Sequence, residues 1–73
     1  MRQYAIVIER GTTSHGAYVP DLPGCAAVAQ SEEEVRRLIR EAIVIHIKAM
    51  IEDGDPVPEP ASKAEYVALP HAS

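Results

Sequence analysis

The side chains able to do acid–base, nucleophilic or metal chemistry are scattered through this 73-residue sequence rather than grouped. His15, His46 and His71 fall in separate segments, and no two of them have the spacing of a pair of metal ligands. Cys25 is the single cysteine, so it can form no internal disulfide, and we interpret it as a small buried hydrophobic residue rather than a nucleophile. The sequence therefore predicts no metal, no cofactor and no catalytic residue.

The acidic residues form no complete ligand set either. Glu32–Glu34 are adjacent, but three carboxylates in the first turn of a helix are explained by the positive end of the helix dipole. Asp53 and Asp55 resemble part of a calcium-binding loop, yet the remaining oxygen ligands of such a loop are missing. These carboxylates are best explained as solvated helix termini.

The overall charge indicates what kind of partner the protein takes. Seven Lys and Arg residues against 11 Asp and Glu residues give a formal net charge of −4, which disfavours direct binding to DNA or RNA phosphates and suits a basic protein partner. The apolar stretch before Glu9 is too short for a signal sequence, and no apolar run approaches the roughly 20 residues of a membrane span. We expect a cytoplasmic protein without membrane contact.

The elements that position these residues begin with three strands, expected over about 2–9, 16–20 and 25–30. Residues 4–8 are apolar at both odd and even positions, so both faces of the first strand need cover. A stiff turn lies between the second and third strands, because each proline fixes its own φ and glycine permits conformations that other residues resist. It is either a structural connection or a binding loop. Since a rigid loop loses little entropy on binding, we assign partner contact to Pro20, Asp21, Leu22, Pro23 and Gly24.

One helix is predicted over about 31–53, and a fourth strand over about 63–69. Ser31 followed by Glu34 is a capping box, and Gly54 suits the C-terminal cap. In the second half of the helix the apolar face widens, because Val44, Ile47 and Ile51 enter the sector that is polar earlier. A domain of this size buries only roughly 60% of its unfolded surface. We therefore predict self-association through Val44, Ile47 and Ile51, with cover by the chain's own C-terminal segment as the alternative.

The order of these motifs resembles that of the HicB-like antitoxin family over nearly the whole chain, from about Tyr4 to Leu69. The motifs are the first strand, the segment Ala17–Cys25 with its proline turn, the Ser31–Glu34 helix start, the proline-rich segment Glu52–Pro60 and the last strand. Just before the helix the family usually has Gly, Asp or Glu, and Thr, where this chain has Ala29, Gln30 and Ser31. The resemblance implies a single α+β domain over residues 1–73, of order β-β-β-α-β, with one helix on an antiparallel-rich, truncated ribonuclease H-like sheet.

The resemblance also implies a function. Family members neutralise a small, basic, RNA-cleaving toxin of the HicA type by covering its active surface, and full-length members carry a further DNA-binding segment that we do not expect here. Ribonuclease H-like nucleases hold two metals with several strand-end carboxylates, whereas this chain offers only Glu9 and Asp21, so we expect no enzyme activity. The alternative is an orphan HicB-like module, a homo-oligomeric scaffold (dimer or tetramer) or small-ligand-binding protein without a toxin.

Overall fold

Three antiparallel strands and one long helix form the fold in a computed structural model, which describes residues 2–71. The strands are β1 (Val7–Arg10), β2 (His15–Tyr18) and β3 (Ala26–Ala29), and the helix α1 spans Glu32–Glu52. The sheet order is β1-β2-β3, with antiparallel pairing at both contacts. The predicted α+β class and the order of the first four elements are confirmed, and the predicted helix ends differ from the observed ones by one residue.

The first strand is shorter than predicted, because its partner strand runs into the proline turn. Val7 pairs with Tyr18, so continuing the same register would place Ala5 opposite Pro20, which has no N–H to donate. The N–H of Val19 donates to the Cys25 carbonyl, 3.1 Å away, on the β3 side of the sheet. Pairing between β1 and β2 therefore begins at Val7 and not near residue 2.

The helix covers one face of the sheet and leaves the other open. The register places Ile8, Ala17 and Ala27 on the helix side, since directly paired residues point to the same face. The buried core lies between sheet and helix, and its members are Ala17, Val19, Leu22, Cys25, Ala29, Val35 and Ile39. Cys25 is thus the buried small residue that the sequence predicts, and burial raises the pKa of its thiol.

Both ends of α1 are capped by the residues that the sequence predicts, except that the Glu34 side chain bonds one residue before Ser31 and not Ser31 itself. At the N-terminus the Glu34 N–H donates to Ser31 Oγ at 3.1 Å, and the Glu34 carboxylate accepts the Gln30 N–H at 3.3 Å. At the C-terminus Gly54 has φ of +77°, which glycine tolerates, and its N–H donates to the Ile51 carbonyl. The next N–H, that of Asp55, donates to the Met50 carbonyl, and the two bonds together form a Schellman motif.

The predicted fourth strand over 63–69 is wrong for the single chain. Residues 55–70 form no helix or strand, and residues 61–71 are all exposed. β-propensity describes how well a side chain fits a pleated, partly buried surface, so a sequence with strand character becomes a strand only where an edge accepts it. Within the described residues neither outer edge of the sheet pairs with this segment.

We predict that Ser31→Ala lowers the free energy of unfolding by about 1 kcal/mol, because the Glu34 N–H loses its acceptor at the helix N-terminus. Ser31→Thr keeps a hydroxyl oxygen at this position and is the matched control. Urea denaturation followed by circular dichroism measures both. Equal stability of the alanine and threonine variants would show that the cap does not contribute.

Candidate protein-binding site

The connection between β2 and β3 consists of two consecutive β-turns. The Leu22 N–H donates to the Val19 carbonyl at 3.1 Å, and the Cys25 N–H donates to the Leu22 carbonyl at 3.0 Å. Pro20 and Pro23 are each the second residue of their turn, where the fixed φ of proline matches the required geometry. Because each of the two hydrogen-bonded turns has a proline at its second position, this connection has one preferred shape.

Gly24 completes the second turn. Its φ of +86° is the value that the third residue of a type II turn requires, and glycine adopts it without steric cost. A Cβ added at Gly24 would meet no heavy atom within 4 Å, so the requirement for glycine comes from the backbone and not from crowding. The space beside Gly24 is therefore open to a partner.

The five residues of the predicted binding turn do not all face solvent. Pro20, Pro23 and Gly24 are exposed, and we call these three residues the turn rim. Leu22, in contrast, is 0% exposed and lies in the core, so its side chain cannot contact a partner while the fold is intact. The assignment of Leu22 to partner contact is corrected on this ground. A turn this short folds its apolar residue inward because burial of a leucine side chain is worth roughly 2 kcal/mol.

Asp21 has a structural task that the sequence does not reveal. Its Oδ2 accepts the N–H groups of Ala61 and Ser62, each at 2.9 Å, and its Oδ1 accepts the Ser62 hydroxyl at 2.8 Å. The backbone bond from Ser62, the backbone bond from Ala61 and the Ser62 hydroxyl lower the pKa of Asp21, because all three stabilise the ionised carboxylate. The partners are 40 and 41 residues away in the chain, so no local sequence motif predicts the contact.

Residues 55–62 follow α1 and contain three prolines, and we call them the connector. Two further contacts hold the connector beside the start of the chain. The Tyr4 hydroxyl donates to the Pro58 carbonyl at 2.6 Å, and an exposed ion pair joins Arg2 to Glu59 at 3.2 Å. An exposed pair of this kind contributes little to stability, so the Tyr4 and Asp21 bonds carry the attachment. The connector thus contacts both the turn and the start of the chain.

A second surface lies on the late part of α1. An apolar groove of about 420 Å³ is lined by Ile43, Val44, Ile47, Lys48, Ile51 and Glu52, and we call it the late-helix groove. It contains all three residues that the sequence assigns to self-association. Val44 is 66% exposed, whereas Ile47 is half-buried and packs against the core. The structure brings these three side chains together on a surface that the chain's own described residues leave open.

A cleft of about 520 Å³ lies over the helix side of β1, and its lining includes Ile6, Ile8, Arg10 and His15. Glu32 and Arg36, also in this lining, form an ion pair at 2.7 Å, and the hydrogen bond from Arg36 lowers the pKa of Glu32. Nothing in the described part of the chain groups three His, Cys, Asp or Glu side chains closely enough to hold a metal ion. The cleft therefore has charge and apolar surface but no ligand set for metal-dependent hydrolysis.

The remaining histidine and acidic side chains that the sequence analysis considered lie in separate parts of the structure. His46 is half-buried on α1, and His71 is exposed beyond the connector. Glu9 is exposed at the end of β1, while Asp21 is occupied by its three donors. Among residues 2–71 no helix is both long and apolar enough to cross a membrane. The turn rim and the late-helix groove are the exposed surfaces of the described residues that contain the residues to which the sequence assigns contact.

Comparison with known proteins shows the family to which this chain belongs. The chain matches the family described as the HicB-like antitoxin of bacterial toxin-antitoxin systems over residues 4–72, and it belongs to that family. It is 38% identical over 56 residues to a UPF0150 protein of Archaeoglobus fulgidus, a match that covers 73% of this chain and 81% of that protein.

Two further relatives are informative. An uncharacterized 14.9 kDa protein from the rep-hol intergenic region of Haemophilus phage HP1 is 33% identical over 67 residues, and the match covers 92% of this chain but only 50% of the phage protein. This chain therefore spans half the length of that relative. In a solved HicA3 and HicB3 toxin-antitoxin complex, one chain superposes with a TM-score of 0.70 and 28% identity, covering 82% of this chain and 70% of that chain.

We predict that Asp21→Ala releases the connector without unfolding the sheet and helix. The amides of Ala61 and Ser62 lose their acceptor, so their hydrogen exchange should accelerate to that of exposed amides, while the amide of Ile39 in the core stays protected. Glu59→Ala, which removes only an exposed ion pair, is the control.

The same contact should depend on pH. The pKa of Asp21 is lowered in the folded state, so its contribution to stability is present above the unfolded pKa and is lost as the pH falls through the folded value. Exchange of the Ala61 and Ser62 amides, corrected for the intrinsic pH dependence, should therefore lose its protection in acid. Protection that persists in Asp21→Ala would contradict the assignment of this anchor.

Proposed function

We propose that this chain is an antitoxin domain that binds a small, basic, RNA-cleaving toxin of the HicA type and covers its active surface. The observation that carries the proposal is the similarity, at a TM-score of 0.70, to a chain of a HicA3 and HicB3 toxin-antitoxin complex. Membership of the HicB-like antitoxin family over residues 4–72 supports the same role. Inhibition by covering requires a complementary surface and no chemistry of the antitoxin's own.

The charge of the chain supports a basic partner. A net charge of −4 attracts a positively charged protein over long distances and repels nucleic acid, so we propose no direct contact with DNA. Association with the toxin should be fast at low ionic strength and slower in added salt, because screening weakens the attraction. We place this action in the cytoplasm, where the messenger RNA that such a toxin cleaves is found.

We propose the turn rim as the contact surface for the toxin. Pro20, Pro23 and Gly24 are exposed on a turn whose shape is already fixed by the two internal hydrogen bonds and the buried Leu22. A partner that binds such a surface does not have to immobilise it, so less binding free energy is lost to ordering. Leu22 supports the rim from the core, whereas Asp21, whose carboxylate binds Ala61 and Ser62, lies beside the rim and stays in the proposed contact region.

We predict that Pro20→Lys weakens binding to a HicA-type toxin by roughly tenfold or more, because a positive charge then faces a basic protein across the interface. The matched control is Val28→Lys, which adds the same charge on the open face of the sheet, where Val28 is exposed. Calorimetry on purified proteins measures the dissociation constant, and growth on co-expression measures neutralisation.

The possible outcomes test the antitoxin function and the turn-rim contact surface separately. Neutralisation by the wild-type chain that is lost in Pro20→Lys and kept in Val28→Lys supports both the function and the contact surface. Neutralisation that both variants retain rejects the turn rim alone. A wild-type chain that neither binds nor neutralises a HicA-type toxin rejects the antitoxin function.

We also predict that the purified chain cleaves neither RNA nor DNA with Mg²⁺ or Mn²⁺ present. Two-metal hydrolysis requires several carboxylates around the metal pair, whereas Glu9 is isolated at the end of β1 and Asp21 is held by Ala61 and Ser62. Incubation with labelled RNA and DNA tests this. Metal-dependent cleavage that co-elutes with the protein and disappears in Asp21→Ala would overturn it.

A second candidate function rests on the late-helix groove. An apolar groove of about 420 Å³ on an exposed helix favours an orphan module that works as a homo-oligomeric scaffold, a dimer or tetramer, without a toxin. The two functions are compatible with the same fold. A gene neighbourhood without a small basic reading frame would favour the scaffold.

We predict that Val44→Glu disrupts self-association through the late-helix groove, because an unpaired carboxylate would be buried in an apolar contact. Val44 tests this better than Ile47, since Ile47 also packs against the chain's own core. Ala49→Glu places the same charge on another exposed side of α1 and is the control. Light scattering should show a smaller assembly for Val44→Glu alone; equal masses for all three proteins would reject this surface.

A further inference from the structure

The cleft over the helix side of β1, which we call the β1 cleft, contains side chains that the proposed toxin contact does not use. It lies where the strands β1 and β2, the first turns of α1 and Tyr66 of the C-terminal segment come together. The register pairs Arg10 directly with His15, so both side chains lie on the same face of the sheet as Ile8. The helix lies mainly over β3 and β2, which leaves this part of the face open.

The charges that line the β1 cleft leave one cation without a partner. Arg36 is paired with Glu32 at 2.7 Å, whereas Arg10 makes no ion pair or side-chain hydrogen bond with any described residue. The pKa of Glu32 is lowered by Arg36, first through the hydrogen bond and then through its charge. Smaller effects on the same pKa come from His15 and Arg10, so these groups share one electrostatic environment. Two guanidinium groups against one carboxylate give the cleft a positive excess in a chain of net charge −4, and such an excess attracts an anion.

The imidazole of His15 supplies a hydrogen-bond donor beside this cation. Its Nδ1 is buried and has no hydrogen-bond partner among the described residues. A buried N–H without an acceptor is costly, so the proton of the neutral ring belongs on Nε2. Because the ring lines the cleft, the Nε2–H group can donate to an anion that the neighbouring Arg10 attracts.

The remaining lining of the β1 cleft suits a planar ring. Ile6 and Ile8 are half-buried and contribute branched apolar surface. Tyr66 also lines the cleft, yet its side chain is fully exposed, so no described side chain covers its ring. An uncovered aromatic ring beside aliphatic groups favours stacking of another ring. The volume of about 520 Å³ lies within the range of roughly 300–1,000 Å³ that small-molecule sites occupy.

We propose that the β1 cleft binds a small anion that carries an aromatic ring. The anionic group binds the Arg10 guanidinium and the His15 Nε2–H group, and the ring stacks against Tyr66. Arg36 neutralises Glu32, which would otherwise repel the anion. A nucleotide and an aromatic carboxylate share this chemistry. The anion-binding groups lie at the start of β2 and the turn rim follows its end, so the site does not depend on the toxin contact.

Calorimetry on the full chain tests the two halves of the ligand with matched probes. Adenosine monophosphate and phenylacetate each combine an anionic group with a ring, and the one that binds distinguishes the nucleotide from the aromatic carboxylate. Adenosine has the ring without the charge, and inorganic phosphate has the charge without the ring. Either half alone should bind roughly tenfold or more weakly than the complete ligand, because each loses one of the two contacts.

A pair of arginine variants tests the cation. Arg10→Gln should weaken binding roughly tenfold or more, because it removes a charge-assisted hydrogen bond. Arg40→Gln removes the same charge from an exposed position of α1 outside the cleft lining and should leave the affinity unchanged. In the wild-type chain the nitrogen resonance of His15 Nε2 should shift on saturation with the ligand.

Several results would overturn this site. They are no binding of either ring-bearing anion, phosphate binding as tight as that of the complete ligand, and equal affinity of the Arg10→Gln and Arg40→Gln variants. Contacts of the Tyr66 ring with the methyl groups of Ile6 and Ile8 in the ligand-free chain would also overturn it, since the C-terminal segment would then fill the cleft itself.

Discussion

The fold depends on the burial of Leu22 inside the turn that joins β2 to β3. Leu22 is one of the three large side chains that are fully buried, together with Val35 and Ile39 of the helix. Truncating such a residue in a core typically costs 2–5 kcal/mol, which is a large part of the roughly 5–15 kcal/mol that stabilises a whole domain. In a chain that buries only about 60% of its unfolded surface, this side chain couples sheet, turn and helix.

The same turn separates structural from exposed residues. Two of its side chains have structural roles, because Leu22 fills the core and the Asp21 carboxylate, at the surface, holds the connector at Ala61 and Ser62. The exposed residues of the turn rim have no such structural role, and the two backbone hydrogen bonds of the turns hold their conformation. A partner that binds this rim, as we propose, meets a surface whose shape is already fixed, so less binding free energy is lost to ordering.

Local and periodic features could be predicted from the sequence because their physical causes are local. The Ser31 cap and the Gly54 cap depend on residues within one helical turn. Val44, Ile47 and Ile51 line one groove because residues three, four and seven positions apart share a helix face, whatever the helix packs against.

Features that depend on distant parts of the chain could not be predicted. The bond between Asp21 and Ser62 spans 41 residues, and the inward direction of Leu22 is set by the core that it enters. The strand predicted over 63–69 has the right composition, yet within the described residues it pairs with neither outer edge of the sheet, and β1 begins late because its extension faces Pro20.

The measurement that tests the account most directly is a nuclear magnetic resonance titration of the labelled chain with a HicA-type toxin. If a preformed turn rim covers the toxin, the largest changes should occur at the Gly24 amide and at the carbon signals of Pro20 and Pro23. The Leu22 methyl signals should remain those of a buried side chain. Changes confined to the late-helix groove or to residues 63–69, with an unaltered turn, would contradict the account.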